Sequence, residues 1–569
     1  MSRRFPWEPA SIIIYERKEI NMKRILSVLV CGLLLASAMG GCNQQETSSA
    51  PADESGASSS GPVMSAPGEF PIVDETVTYT VMAPQTNYIL DLQTNAYSTW
   101  LEEKTNVHIE YETVPEAALS EKVNLSLASS EIPDAYLSCN LDSSTQVRYG
   151  KAGVFLDLAP MIEEYGYEIP KAYEANSLLP GAITDPDGEI FALAGVNECY
   201  HCVYCGRAWI NKTWLDNLGL DYPETTEEFR EVLRAFKTRD PNGNGEADEI
   251  GMLGISDMWR ASCYDFLLGS FVYNDFTDRL SVVDGTVNYV ANTEEFREGL
   301  RYIRSLIEEE LIDPISLTLT EEEAHVLTGG DVANVGVATG MAYWNVLSAN
   351  DEEYIGLSPL EGPNGERNAF VRATGIVTGQ FAITNEAENP EILFRWADAQ
   401  FSEEATYFSS WGPEGEGWEK APEGTLGING EQALYVVLEG VSNTDAETVQ
   451  NIAMPNIALA NRTNAFRLGQ AVGGEDDSEE RLYEAASTYY FPYAKEQTYP
   501  LMVMGEDESA KINEYKTAIN AYADEMISGF LAGNYDLDSD WDAYLAEFEA
   551  MGLDEYLELL QAAYDDVYK

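Results

Sequence analysis

The stretch DPNGNGEADEI, Asp240 to Ile250, places side-chain oxygens at alternating positions. Asp240, Asn242 and Asn244 fall at positions one, three and five, with Gly245 at six. In a calcium loop of the EF-hand type, alternate side chains turn inward onto the ion and a glycine at six permits the sharp bend. Glu246 at seven would add its backbone carbonyl. Position twelve is Gly251, which has no carboxylate, so Asp248 and Glu249 are expected to close the shell earlier. Carboxylates crowded on one short loop repel one another unless a cation neutralises them. That favours a structural Ca2+ site over a bare Asx-turn loop.

A second cluster is CYHCVYC, in which Cys199, Cys202 and Cys205 surround His201. Structural zinc usually draws on two ligand pairs separated by a longer loop. Here one dense group stands alone, and the remaining histidines are His108 and His325. Disulfide bonding in an oxidising compartment is the favoured reading, with Cys139 and Cys263 as further candidate partners and the pairing left open. No GxSxG, HExxH, phosphate-cradling or dinucleotide-binding glycine motif stands in a strand–helix context. With 97 acidic residues no carboxylate pair singles itself out for glycoside chemistry. The expectation is therefore a binding protein and not an enzyme.

The elements that must carry these residues begin at the N-terminus. Met22-Lys23-Arg24 is a basic start, and Ile25 to Ala38 is an apolar run of signal-peptide length, too short for a membrane span. It ends in MGGC, so residues 1–41 read as an upstream extension plus a lipoprotein signal peptide resembling a lipobox, and Cys42 as the lipidated cysteine. Residues 42–70 are rich in Ser, Ala, Gly and Pro and read as a flexible tether. The 569-residue chain is too long for one core, and its net charge of −64 repels phosphate backbones, which excludes nucleic acid as a partner. VTYTVMAP, NVHIEYETVP and PDAYLS read as strands separated by the helices LDLQTNAYSTWLEEKT and EAALSEKVNLSLAS. This alternation predicts an α/β fold with a parallel sheet. DPDGEIFALAGV reads as a turn and strand. WINKTWLDNLG, TTEEFREVLRAFKTRD and NPEILFRWADAQFSEEATYF read as helices, as do the two C-terminal stretches from Lys511 and from Trp541.

GVFLDLAPMIEEYG, DGEIFALAGVN and the run from Arg207 to Gly251 resemble extracellular solute-binding lipoproteins of carbohydrate ABC transporters, including alginate-oligosaccharide-binding proteins. The resemblance implies a two-lobe periplasmic-binding-protein-like fold, with a hinge, an interlobe cleft and extra C-terminal helices. On that basis lobe 1 takes residues 71–200 and a return segment 376–425. Lobe 2 takes 201–375 with the calcium loop, and 426–569 is a C-terminal helical part, mainly on lobe 2. Crossings are expected near 195–205 and 370–380. It also implies a monomer, lipid-anchored on the outer face of the membrane, that captures a carbohydrate and delivers it to permease subunits. A surface-anchored or sensor-linked sugar-binding protein would share the fold. Sugars present flat C–H faces and hydroxyl rings, so aromatic platforms and amide or carboxylate partners are the expected ligand residues. The candidates are Tyr200, Tyr204, Trp259, Trp344 and Trp411, with Asn197 and Glu198 at the first crossing.

Overall fold

The computed structural model describes residues 62–129, 131–176, 178–256, 261–275, 277–372, 375–441, 450–473 and 477–568. The signal segment, Cys42 and residues up to 61 of the tether lie outside the described residues, as does Trp259.

Ten strands build the two main sheets: β1 (Val77–Gln85), β2 (Val107–Pro115), β3 (Ala135–Leu137), β4 (Leu193–Asn197), β5 (Ala208–Asn211), β6 (Ile250–Leu253), β7 (Val335–Thr339), β8 (Tyr354–Leu357), β9 (Gly375–Ile383) and β10 (Asn461–Arg462). The six-stranded sheet has the order β10-β4-β9-β3-β1-β2, and the four-stranded sheet the order β8-β5-β7-β6. The strand–helix rhythm over residues 77–137 is as the sequence indicates, but the sheet is mixed. β9 returns from the far half of the chain and inserts antiparallel between β3 and β4. Strand direction in such a return is set by tertiary closure and leaves no mark in the local pattern.

Each sheet carries its own apolar core. Val81, Leu101, Ile109, Leu193, Phe381, Leu393 and Trp396 pack around the six-stranded sheet. Ile210, Trp214, Phe229, Leu233, Phe236, Met252, Phe296 and Val337 pack around the four-stranded sheet. The C-terminal helices Glu506–Leu531, Trp541–Met551 and Leu553–Tyr568 add Ile519, Phe530, Tyr544, Phe548 and Tyr556 to this second core. They extend that lobe and do not form a separate body. The fold is the two-lobe arrangement of periplasmic binding proteins.

Several helix readings need correction, each for a local reason. WINKTWLDNLG opens as β5, and the helix Lys212–Leu218 starts only after Asn211, whose side chain accepts the Trp214 N–H at 2.9 Å. The helix expected from Leu90 begins at Ala96, capped by Asn95 on the Tyr97 N–H. The stretch from Asn389 is two helices, Pro390–Ala399 and Glu403–Trp411, because Ser402 caps the second. The last helical stretch breaks at Gly552, which adopts φ +86. Among the described residues no helix is long and apolar enough to cross a membrane.

Candidate functional site

Strand directions place the site. β1, β2, β3 and β4 all run the same way, so their carboxyl ends share one edge of the six-stranded sheet. The chain leaves β4 at Asn197 and enters β5 at Ala208. β5 runs antiparallel to β7 and β8, and β6 runs with β7. The carboxyl ends of β6, β7 and β8 therefore lie at the end where β5 begins, the same crossing that the carboxyl end of β4 feeds. In α/β sheets ligands bind outside carboxyl strand ends.

Cavities occupy both sets of ends. On the six-stranded side a cavity of about 130 Å3 is lined by Thr86, Tyr88, Glu116, Ser138, Asn140 and Asn456 among others. A bulge in β9 shapes its floor. Gly379, at φ +66, sits where a Cβ would lie 2.0 Å from the Leu141 carbonyl, so only glycine fits. The bulge aims Gln380 at Ser138 (3.0 Å) and Asn140 (3.1 Å), which holds both polar side chains in place. On the four-stranded side a cavity of about 900 Å3 lies beside Ser256, which follows β6, and is bordered by Tyr264, Arg279, Ser316 and Asp524. A third cavity, about 660 Å3, is walled by Tyr407, Trp418 and Glu404. Glu404 pairs with Lys104 just before β2 begins, whereas Tyr407 packs on Phe466 just after β10, so this cavity runs along the helix Glu403–Trp411 beside the first sheet.

The chain passes between the sheets at residues 198–207, again between β8 and β9, and a third time after β10. Phe466 packs with Tyr407 and Tyr435 beside the first sheet, whereas Leu482 packs with Trp209 in the second. This third crossing was not foreseen, and it carries much of the polar chemistry. Arg467 Nη2 donates to Asn197 Oδ1 at 2.7 Å, and the Asn464 N–H donates to Glu198 Oε2 at 2.7 Å. Asn197 and Glu198 thus tie the first crossing to the third. His201 Nε2 lies 2.9 Å from Glu479 Oε2. Burial lowers the His201 pKa, against the pull of Glu479. Burial alone would raise the Glu479 pKa, but His201, Arg467 and Arg207 outweigh it and hold the carboxyl below its usual range. Arg462 is pushed down to about 10, first by burial and then by Arg467. Among the described residues Thr86 Oγ1, Arg462 Nη2, Arg467 Nε and Asn464 Oδ1 are buried with no hydrogen-bond partner. Orphaned donors and acceptors at a strand-end cleft are what a hydroxyl-rich ligand would satisfy.

The aromatic candidates divide. Trp344 is 38% exposed on the turn after β7, its ring perpendicular to Tyr343 at 4.9 Å. Tyr200 is half-buried between Tyr204 and Tyr483. Tyr204 is buried in the second core, where a stacked sugar would have to displace its neighbours. Trp411 packs half-buried against the cluster of Tyr407, Trp418, Tyr435 and Phe466.

A match to the bacterial extracellular solute-binding protein family covers residues 81–407, more than half of the chain. The chain belongs to this family. Its members bind solutes and are not enzymes. A solute-binding relative, the fructooligosaccharide ABC transporter substrate-binding protein FusA of Streptococcus pneumoniae serotype 4, is 30% identical over 474 residues, 82% of this chain and 86% of FusA. The structure of FusA with kestose superposes with a TM-score of 0.72 at 26% identity, covering 86% of this chain and 99% of FusA, and FusA has also been solved as an EF-hand mutant with fructo-nystose. A solute-binding protein from Bifidobacterium longum infantis that binds human milk oligosaccharides shares the fold, with a TM-score of 0.75 at 22% identity over 87% of this chain and 100% of that one. The alginate-binding protein AlgQ2, solved without calcium, does so at 0.61 and 22%, over 86% and 98% of the two chains.

In this solute-binding protein the Asp240–Glu249 loop joins the helix Thr226–Thr238 to β6. The helix is started by a capping box between Thr225 and Glu228 and ends just before Asp240, whose φ is +47. Inside the loop the side chains already point inward. Asn242 Oδ1 accepts the Asn244 N–H (3.0 Å), Asp240 Oδ2 accepts the Gly245 N–H (3.2 Å), and Asn244 Nδ2 donates to Asp248 Oδ1 (3.1 Å). Glu249 is 9% exposed, and its Oε1 has no partner. Burial first, then Asp248 and Asp240, raise its pKa. Glu246 is exposed, with its N–H bonded to Asn244 Oδ1 at 2.7 Å. An orphaned buried carboxylate in the field of Asp248 and Asp240 is a group that a hard, oxygen-ligated cation would satisfy.

The cysteines follow the disulfide reading in a form the spacing left open. Cys199 bonds Cys202, within the turn of the first crossing. Cys139, Cys205 and Cys263 are buried thiols, and burial pushes Cys139 and Cys263 up to about 12, which keeps them protonated and inert. The residues missed on sequence, Arg462, Asn464 and Arg467, sit in NRTNAFRLG, a dense polar run between apolar stretches.

Proposed function

We propose that the chain captures an oligosaccharide in the cleft between its two sheets and hands it unaltered to the permease of an ABC transporter. The observation that carries this reading is the polar cavity at the carboxyl ends of β1–β3, which the unpartnered Thr86 Oγ1 lines and whose Asn456 accepts from Arg462, with further unpartnered groups at Arg462, Asn464 and Arg467 just after β10. FusA, which is named for fructooligosaccharides, supports the same ligand class. Capture works by hinge closure. A sugar that touches both lobes shifts the population toward the closed form, and the three crossings absorb the rotation. Lobe 1 comprises 71–200 and 376–425 together with β10, which pairs with β4, lobe 2 comprises 201–375, and the rest of the C-terminal part 426–569 belongs mainly to lobe 2. In this reading Trp344 is the stacking platform. Tyr200 borders the site, Tyr204 and Trp411 support it from the packed clusters behind, and Asn197 and Glu198 set the hinge.

The loop side chains Asp240, Asn242, Asn244, Asp248 and Glu249, with the Glu246 carbonyl, hold a structural Ca2+. The ion neutralises the loop and fixes β6, whose carboxyl end opens onto the cleft. The FusA EF-hand mutant supports such a site in the family. Cys42 carries the lipid that anchors the protein to the outer face of the cell membrane, and the tether lets it reach the permease.

A thermal-shift screen of mono- and oligosaccharides tests the reading, because a ligand of the folded state alone raises Tm by mass action. At least one oligosaccharide should raise Tm in proportion to the logarithm of its concentration. A shift with peptides and with no carbohydrate would refute it.

A further inference from the structure

The spacing of CYHCVYC argues against zinc because no second ligand pair follows it in sequence. The fold supplies what the sequence lacks. The ligand atoms of Cys199, His201 and Cys202 lie within 4.8 Å of one another, and Glu479, 278 residues further on, reaches His201 Nε2 at 2.9 Å. We propose that, once the Cys199–Cys202 disulfide is reduced, these two thiolates, the His201 imidazole and the Glu479 carboxylate take a single zinc ion, in a site separate from the calcium loop.

Several features suit that role. In a tetrahedral zinc site neighbouring ligand atoms stand about 3.3–3.8 Å apart. Cys199 Sγ and Glu479 Oε2 lie 3.4 Å and 2.9 Å from the same ring nitrogen, His201 Nε2, whereas Cys202 Sγ lies 3.8 Å from Nδ1 and must swing to the Nε2 side once the disulfide opens. The turn is held independently of the sulfur–sulfur bond. The Cys202 N–H donates to the Cys199 carbonyl at 3.0 Å, and Arg207 Nη2 donates to the His201 carbonyl. The Cys202 N–H also points at Cys199 Sγ (3.3 Å), a contact that stabilises a thiolate. Two thiolates and a carboxylate around Zn2+ leave a net charge of −1. Arg207 and Arg467, the guanidiniums that act on both His201 and Glu479, are placed to balance it. Cys199 and His201 are buried while Cys202 is partly exposed, so the dithiol has an entry path. Cys205 takes no part, since it packs with Tyr273 and Phe370. Soft thiolate and imidazole donors select zinc over the calcium that the oxygen loop prefers.

The chemistry balances. An external dithiol gives two electrons and two protons to the disulfide and becomes a disulfide itself, leaving Cys199 and Cys202 as thiols. Zinc then displaces both thiol protons to solvent. Because the cysteines lie on the first crossing and Glu479 lies on the third, the ion would clasp two hinge segments together.

The test uses cobalt(II) as a spectroscopic stand-in for zinc on the full chain, after reduction with a phosphine and removal of calcium. One equivalent of cobalt should produce a thiolate-to-cobalt charge-transfer band and the visible bands of a tetrahedral ion, and zinc should abolish both. Reoxidised wild-type protein should show neither, a control that needs no variant. Cys202→Ser should lose the charge-transfer intensity in large part, and Glu479→Gln should weaken cobalt binding at least about tenfold (near 1.4 kcal/mol). Asp240→Ala should leave the signal unchanged. Absence of the charge-transfer band in reduced wild-type protein, or its persistence after reoxidation, would overturn the proposal. So would an unchanged affinity in Glu479→Gln.

Discussion

Glu249→Gln separates the two consequences of charge in the loop. Without a cation, Glu249 is buried beside Asp248 and Asp240 with Oε1 unpartnered, and its pKa is raised. For a carboxyl raised on folding, the contribution to stability is present below the unfolded pKa and is lost as pH rises through the folded value. At neutral pH the ionised group therefore opposes the cation-free fold, and an amide of the same shape relieves it. An unsatisfied buried polar group costs about 1–3 kcal/mol. The loop around Glu249 is open to solvent, so screening places this one near ~1 kcal/mol. A change of that size moves Tm by about 2–4 °C for a unit of lobe size. Calcium reverses the sign. At a concentration about 100 times Kd it adds about 2.7 kcal/mol to the wild type, and the variant forgoes most of that gain. Calorimetric melting of both proteins in chelator and in calcium should give crossed results: Glu249→Gln above wild type in chelator and below it in calcium. Equal destabilisation in both media, or no response of the wild type to calcium, would refute the cation reading of the loop.

Three other outcomes follow from named residues. Trp344→Ala should weaken sugar binding at least about tenfold, near 1.4 kcal/mol, with Tm nearly unchanged because the ring is part-exposed; Trp411→Ala should show the reverse balance, since its ring is built into an aromatic cluster. Titration calorimetry and melting on each variant separate the two effects. Asp275 is raised to about 6, first by burial and then by Asp278, so its contribution to stability falls as pH rises through about 6; Asp275→Asn should flatten that part of the Tm–pH profile while keeping the acceptor for the Arg279 N–H. Cys42→Ser should leave the precursor uncleaved or release the protein from the membrane fraction in a fractionation assay.

What could be read from sequence was what is local. The acidic loop was legible because its oxygen donors lie within eleven residues, and the loop does turn Asp240, Asn242 and Asn244 inward. The 77–137 alternation was legible because strand and helix periods differ over runs long enough to count. β5 was not, because four residues ending in a capping Asn211 look like the first turn of the helix they precede. The direction of β9 and the existence of the third crossing depend on closure of the whole chain. Asn197 meets Arg467 across 270 residues and His201 meets Glu479 across 278, distances over which no pattern in one sequence reports contact. Burial separated the aromatic candidates for the same reason. Tyr204 and Trp344 each look like platforms in sequence, and only packing leaves Trp344 exposed.

Isothermal titration of the purified, calcium-loaded protein with neutral oligosaccharides, beginning with fructooligosaccharides, tests the central proposal most directly when the sugar is recovered afterwards and weighed by mass spectrometry. One saturable site with Kd of about micromolar or tighter, a negative heat-capacity change from apolar burial, and intact sugar on recovery are the expected results. No binding by any carbohydrate alongside clear binding of a peptide, or recovery of shortened glycans, would contradict the proposal that this chain captures and delivers sugar.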